Sequence, residues 1–442
     1  LPGGAARQAN LHLLTARART FASTQGGSLH AFLRYAERLR AGGDSMSASA
    51  IGESEDVVRI MTTHKSKGLE FPVVFVLALG RRMSGQSLRA RVLMDAELGV
   101  GLPCVDTEMN SERDTLLRRA IRIKAQREQL AEEVRVLYVA LTVLQVLVML
   151  LGGMTFYEAL CTSFGTAGTG GFSNKALSVG AYNSPYFEIV IGVFMLLFGI
   201  NFNLYYFLLL RHFREAFASE EMHVYLGIVA FSTLTITANI ASMYDSVGTA
   251  LRTAFFQVSS IVTTTGYATA DFNLWPTYSR TVIVILTFVG ACAGSTAGGL
   301  KVSRVIILFK AARQDLNKML HSHAVTTVRF EGKPLDEKTL RGVHNYFNIY
   351  MLLLTLSVLL LSLDGFDLVT TFTSVATCLN NVGPGLEMVG PMGSFADFSA
   401  PAKLLLAFDM LAGRLELYPM LALFAPRLWR KRINAMHEAR AK

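Results

Sequence analysis

Hydrophobic positions change their rhythm near residue 133. Before that point apolar residues are interleaved with arginine. Beyond it they gather into blocks close to the roughly 20 residues that carry a helix across a bilayer. The blocks repeat one pattern: a long run, a short amphipathic helix, a loop of small and hydroxyl-bearing residues, and a second long run. Their spacing of roughly a hundred residues marks an internal repeat. The first set predicts helices over 134–151, 155–164 and 186–210, with the loop TAGTGGFS before the last. The second predicts 224–242, 249–262 and 281–309 around TTTGYATAD, and the third 346–363, 367–379 and 402–424 around NNVGPG. The fold class that follows is mainly α, a polytopic membrane protein of repeated helix, pore-helix, helix units with a small α/β soluble N-terminal fragment.

In that fragment, residues 11–39 have helical spacing broken at Gln25, Gly26 and Gly27, which predicts a helical hairpin. The β-branched runs VVRIM (57–61) and FPVVFVLAL (71–79) predict strands of a buried sheet. The mean hydropathy of +0.37 therefore averages two different proteins.

Charge refines this division. A net charge of +9 raises the question of nucleic acid. Downstream, however, Arg211, His212, Arg214, Lys301, Arg304, Lys310, Arg313 and the basic run at 427–432 sit beside apolar blocks, the positive-inside pattern. With those ends cytoplasmic, all three loops face outside and the N-terminal fragment lies in the cytoplasm. The cysteines Cys104, Cys161, Cys292 and Cys378 have no metal or redox spacing and read as structural thiols. The opening LPGG, without an initiator Met or a signal-peptide pattern, reads as a truncation.

The short helices carry the chemistry. A helix that enters apolar surroundings and stops there leaves carbonyls unpaired, which a membrane tolerates only where they line a polar path. Converging carbonyls of this kind replace the hydration shell of an ion. Glycines at helix ends also serve as plain caps; three in matching contexts favour the ion path.

The stretches TAGTGGFS, TTTGYATADFNLWP, GACAGSTAGGLKVSR, NNVGPGLEMVGPMG and MLAGRLELYP give residues 143–432 a resemblance to the TrkH-type members of the Trk/Ktr/HKT potassium transporter superfamily. The resemblance implies a pore of four units in one polypeptide, of which the last three are present. They are a second-type unit at 143–222, a third-type unit at 223–341 and a fourth-type unit with a basic tail at 342–442. It also implies filter glycines at Gly170, Gly266 and Gly383, with carbonyls of Gly168, Thr169, Thr264, Thr265, Asn381 and Val382 as ligands of K+. The transported ion is the only metal, and no organic cofactor is expected in this chain. Implied partners are membrane lipid, a second copy in a homodimer and a cytoplasmic nucleotide-binding regulatory subunit.

Within GACAGSTAGG, the resemblance makes Gly290, Gly294, Ser295, Thr296, Gly298, Gly299 and the following Lys301 an intramembrane gate loop below the filter. Close helix packing through small residues is the other reading. Arg414, mid-helix, matches a positive constriction beneath the filter. An ion pair with Asp409 or Glu416 accounts for it equally well. Glu387 either attracts cations at the outer mouth or is a solvated loop charge.

Residues 1–142 carry a second resemblance. VVRIMTTHKSKGLEFPVVFV and EEVRVLYVALT are similar to motifs V and VI of UvrD-like superfamily 1 helicases, in their AddA-type subgroup. That implies a DNA contact at His64 and Lys65, a ribose contact at Glu70 and a γ-phosphate arginine at Arg135. No G-x-x-x-x-G-K-[ST] phosphate loop occurs, and phosphoryl transfer needs its amides and lysine. The fragment is therefore expected to be no enzyme, and nucleic acid is not an expected partner. The chain reads as a chimera joined inside a helix. Its expected function is potassium transport across a bacterial cytoplasmic membrane, impaired by the missing first unit; the alternative is a fragment of an ATP-dependent DNA repair helicase.

Overall fold

The computed structural model describes residues 14–15, 18–21, 29–41, 92–95, 98–106, 111–321, 327–415, 417 and 420. The chain divides into two compact units, Leu1–Phe75 and Val76–Lys442. The first contains helix α1 (Leu29–Ala41), where the second arm of the hairpin is expected. Phe21 packs against Phe32 and Tyr35 at ring distances of 5.6 and 5.1 Å. The turn at 25–27, both runs expected as strands at 57–61 and 71–79, and His64, Lys65 and Glu70 lie outside the described residues.

The second unit opens with two small antiparallel hairpins that the hydrophobic pattern did not predict. In one, β1 (Leu93–Asp95) pairs with β2 (Gly99–Gly101); in the other, β3 (Pro103–Asp106) pairs with β4 (Ser111–Asp114). Asp114 fastens the second hairpin to the next helix, with Arg118 Nη1 at 2.5 Å and Arg122 beside it. Desolvation pushes the Asp114 carboxyl up, but the two guanidiniums outweigh it and hold the group below its usual range.

Helix α2 (Leu116–Leu151) has 36 residues, about 54 Å at 1.5 Å per residue. It passes through the join at residues 142 and 143 without a break. Tyr138, on the helicase-like side, lies edge-on to Phe198 and Phe202 at 5.7 Å each. Thr142 returns its hydroxyl to Tyr138 O at 2.9 Å, so its polar group is satisfied within the helix. Arg135 stands exposed on α2.

Three units follow. The first continues with α3 (Phe156–Ala167), then α4 (Pro185–Gly199) and α5 (Phe202–Leu209). The single span expected over 186–210 is in fact two helices bent by 92°. Asn201 explains the break: its side chain accepts from Asn203 N at 3.0 Å and caps a new helix, as Asn does at helix starts. The second unit has α6 (Glu220–Ile240), α7 (Val247–Val262), α8 (Thr277–Phe288) and α9 (Val302–Leu320). A hairpin of β5 (Arg329–Phe330) and β6 (Lys333–Pro334) leads to the third unit, α10 (Glu337–Leu361), α11 (Leu368–Leu379) and α12 (Ala400–Arg414). Asp336 caps α10 through Thr339 N at 3.2 Å, and the Thr339 hydrogen bonds hold its carboxyl below the usual range.

Among the described residues, Leu116–Leu151, Glu220–Met243 and Glu337–Asp364 are long and apolar enough to cross a membrane, and the bent pair is either a fourth, broken span or a re-entrant loop. The largest core cluster surrounds α7, where Tyr225, Ile236, Val258 and Ile261 are fully buried. The short helix at the centre of the molecule is thus held rigidly.

Candidate functional site

The helices α3, α7 and α11 are built alike. Each opens on a side-chain cap: Thr155 accepts from Glu158 N at 3.4 Å, Ser246 from Thr249 N at 3.1 Å and Asp367 from Thr370 N at 3.0 Å. The caps satisfy N–H groups that a helix start leaves over. With 12, 16 and 12 residues, they are about 18 to 24 Å long, too short to cross about 30 Å of hydrocarbon.

Beyond each helix the backbone repeats residue for residue. Thr169, Thr264 and Asn381 take positive φ of 50°, 55° and 56°. Their N–H groups donate to Thr166 O, Ile261 O and Cys378 O at 3.2, 3.0 and 3.1 Å. Next, Gly170, Thr265 and Val382 donate to Gly165 O, Ser260 O and Thr377 O at 2.8, 2.9 and 2.9 Å. Then Gly171, Gly266 and Gly383 again take positive φ, of 63°, 84° and 101°, where a side chain is strained.

This register corrects one expectation. The counterpart of Gly266 and Gly383 is Gly171, while Gly170 stands with Thr265 and Val382. The carbonyls shift with it, so that Thr169 and Gly170 match Thr264 and Thr265, and Gly168 falls one place early. A signal for this was available: setting Phe172 against Tyr267 and Pro384 selects the second glycine of the pair.

The loops touch one another in a single sense of rotation. A Cβ on Gly171 would lie 1.9 Å from Thr265 O, and one on Gly266 would lie 2.0 Å from Val382 O. A Cβ on Gly383 would meet no described atom within 4 Å. The three loops therefore form an arc with one open edge. Tyr267 marks a filled junction: it is 1% exposed, with its hydroxyl 3.1 Å from Thr162 O and 3.3 Å from Phe172 O. Phe172, its counterpart at the open edge, is 80% exposed. Tyr267→Phe removes the bond across the junction and is expected to cost about 1 kcal/mol. Thermal unfolding in detergent measures it, and an unchanged midpoint would contradict the pairing.

The segment between α8 and α9 folds back beneath these loops. Gly290 N donates to Leu300 O at 2.7 Å and Val302 N to Ala291 O at 3.1 Å, which closes its neck. Its small residues permit close approach: a Cβ on Gly290 would lie 2.5 Å from Gly298 O, and one on Gly298 would lie 2.7 Å from Asn380 O. Gly294 and Gly299 have positive φ of 73° and 67°. Gly298 N donates to Thr264 Oγ1 at 2.7 Å, Ser295 Oγ to Cys292 O at 2.6 Å, and Lys301 Nζ to Ala297 O. Close packing and a place directly under the loops occur together.

Arg414 joins this segment to the first loop. Its guanidinium donates to Thr296 O at 2.9 Å, Gly168 O at 3.2 Å and Thr169 Oγ1 at 3.3 Å. Asp409 has a different partner, Ser357 Oγ at 2.8 Å, and Glu416 lies outside the described residues. Glu387, half exposed, pairs with Arg280 at 3.1 Å, and its backbone exchanges two hydrogen bonds with Asn273. None of these partners of Arg414 or Glu387 is local in sequence, which is why the sequence did not reveal them.

Residues 223–431 match the TrkH family model, described as cation transport protein. Residues 7–146 match the UvrD-like helicase C-terminal domain. The chain is similar to the Trk system potassium uptake protein TrkH of Salmonella typhimurium, 37% identical over 313 residues, covering 69% of this chain and 64% of that protein. It is also similar to the Trk system potassium uptake protein TrkG of Escherichia coli K12, 33% identical over 309 residues, covering 68% and 63%. The crystal structure of the potassium transporter TrkH from Vibrio parahaemolyticus superposes with a TM-score of 0.64 at 31% identity, covering 68% of this chain and 65% of that one. The chain thus spans 64% of the length of its Salmonella relative.

Proposed function

We propose that this chain, whose residues 143–432 resemble TrkH-type potassium uptake transporters and whose residues 1–142 resemble the C-terminal part of a UvrD-like helicase, carries the last three of four units of a potassium pore. K+ is the transported ion. Its ligands are the backbone carbonyls of Thr169, Gly170, Thr264, Thr265, Asn381 and Val382. The observation that carries this reading is the threefold repetition of one loop backbone, with Gly171 and Gly266 each pressed against a carbonyl of the next loop. Carbonyls held in this way strip and replace an ion's water without a charged ligand.

The membrane is the bacterial cytoplasmic one, with the N-terminal fragment and basic ends inside. The units run 143–222, 223–341 and 342–442. The chain pairs as a homodimer and answers to a cytoplasmic nucleotide-binding subunit, as its resemblance implies. The segment from Gly290 to Lys301 is the gate, and Arg414 is a positive constriction beside it that repels cations leaving the filter.

Arg414 supplies the test. Rubidium uptake is measured in cells lacking their own potassium uptake, co-expressing this chain with the part of the Salmonella relative it does not match. Arg414→Ala is expected to raise uptake several-fold, in the range of about 1 kcal/mol for a charge near a partly solvated path, and Arg414→Lys is expected to leave it close to the parent. Equal uptake in all three proteins would contradict the constriction.

The helicase match at residues 7–146 favours a second reading, a remnant of a DNA-dependent ATPase. Arg135 alone of its named residues is described, and it stands exposed on α2. The chain has no phosphate loop in its 442 residues, so the fragment is read as inactive. ATP hydrolysis stimulated by single-stranded DNA would reverse that reading.

A further inference from the structure

Both ends of the segment beneath the filter hang on one carboxylate. Glu221, in the first turn of α6 and 5% exposed, accepts through Oε1 from Ala293 N at 2.7 Å and from Ser303 N at 3.0 Å. Ala293 stands on the descending side of the segment and Ser303 in the first turn of α9. The N-cap of α9 is Lys301, whose side chain makes no cap hydrogen bond. Glu221 takes that part from another helix and sets a carboxylate at the positive end of α9.

The line of bonds continues outward. Glu221 N donates to Glu331 Oε1 at 3.1 Å, and the same oxygen accepts from Ser219 Oγ at 2.8 Å. Glu331, at φ 50°, lies in the turn of the β5–β6 hairpin. Lys310 of α9 pairs with Glu220 and donates to Arg329 O at 2.9 Å, which ties the hairpin to α9 as well. The hairpin therefore grips the head of α6, and the head of α6 grips the segment at both ends.

We propose that Glu221 is a latch that holds the segment closed under the filter, and that the β5–β6 hairpin is the handle through which a push on the membrane's basic side reaches it. The latch rests on the reading of residues 290–301 as the gate. Glu221 acts as a positioning residue, because it touches the segment and none of the filter loops. A hairpin displaced by a bound partner pulls Glu331 from Ser219 and Glu221, loosens the first turn of α6, and frees the half-buried Ala293 N–H and the buried Ser303 N–H, which then need other acceptors.

The test follows the segment itself. Ser295→Cys is introduced into the full chain, and its modification by a charged thiol reagent is timed in inverted vesicles, above the labelling of the parent's own four cysteines. Adding Glu221→Ala is expected to speed modification about tenfold, the scale of losing a hydrogen bond to a charged group. Glu221→Gln, which keeps an acceptor oxygen, is expected to stay within about twofold, and Glu331→Ala to fall between them. Modification at the parent's rate in both Glu221→Ala and Glu331→Ala would overturn the latch. Should Glu221→Ala fail to fold, Glu331→Ala, at the hairpin turn, decides alone by the same criterion. Faster modification with unchanged rubidium uptake in cells that also express the part of the Salmonella relative this chain does not match would keep the latch and remove the gate reading on which it rests.

Discussion

In the pore completed by co-expression with the part of the Salmonella relative that this chain does not match, replacement of Gly266 by alanine is expected to lower rubidium uptake at least about a hundredfold, or to the level of empty cells, while leaving the amount of protein in the membrane near that of the parent. The effect has two parts. Gly266 sits at φ +84°, where an L side chain costs about 1–2 kcal/mol. Its new Cβ would also fall 2.0 Å from Val382 O, a backbone atom, and overpacking of that kind costs about 1–3 kcal/mol. Together they amount to about 3 kcal/mol, or roughly two factors of ten. The strain is confined to the loop, so the carbonyl of Val382 must turn from its present position. The end of helix α7 behind it, Phe256 to Val262, is buried at every position.

The second large effect comes from the open edge. Gly171 and Gly266 each have the next loop against them, but Gly383 has none among the described residues, and Phe172 is left exposed. Unpaired carbonyls facing lipid are costly, and an arc does not surround an ion. The chain expressed alone is therefore expected to give rubidium uptake at the level of empty cells. Co-expression of the part of the Salmonella relative that this chain does not match is expected to raise uptake at least about tenfold, because a fourth loop completes the ion's shell. In that complex Gly383→Ala is expected to abolish uptake as Gly266→Ala does, since the incoming loop places a carbonyl against it. Uptake by the chain alone equal to that of the co-expressed pair would show that the edge is already closed.

The sequence discloses the architecture of the membrane part nearly whole, for a physical reason. Long apolar runs, capped short helices and glycine at their ends are local signals, and α3, α6, α7 and α11 lie where those signals put them, while α2 and α10 begin at 116 and 337 rather than at the expected 134 and 346. Three kinds of feature were not legible. The bend at Asn201 lies within an unbroken apolar stretch, and only the capping ability of Asn marked it. The register of the first loop turned on two adjacent glycines, Gly170 and Gly171, and only the Phe172 that follows them marked it in the sequence; the φ values distinguish them directly. The partners of Glu221 and Arg414 lie 72 to 246 residues away in the chain, and no periodicity encodes contacts of that range. The join near residue 142 was legible as a change of pattern. That Tyr138 packs onto Phe198 and Phe202 was not.

If the three loops present one backbone register to one ion path, rubidium uptake of the completed pore separates Gly170→Ala from Gly171→Ala. At Gly170 a Cβ would meet only the ring of Phe172, at 3.1 Å, an exposed side chain free to swing aside. At Gly171 it would meet the backbone carbonyl of Thr265 at 1.9 Å, from a residue at φ +63°. Gly170→Ala is expected to retain most of the uptake and Gly171→Ala to lose it as Gly266→Ala does. Loss at Gly170 with full uptake at Gly171 would contradict the shared register.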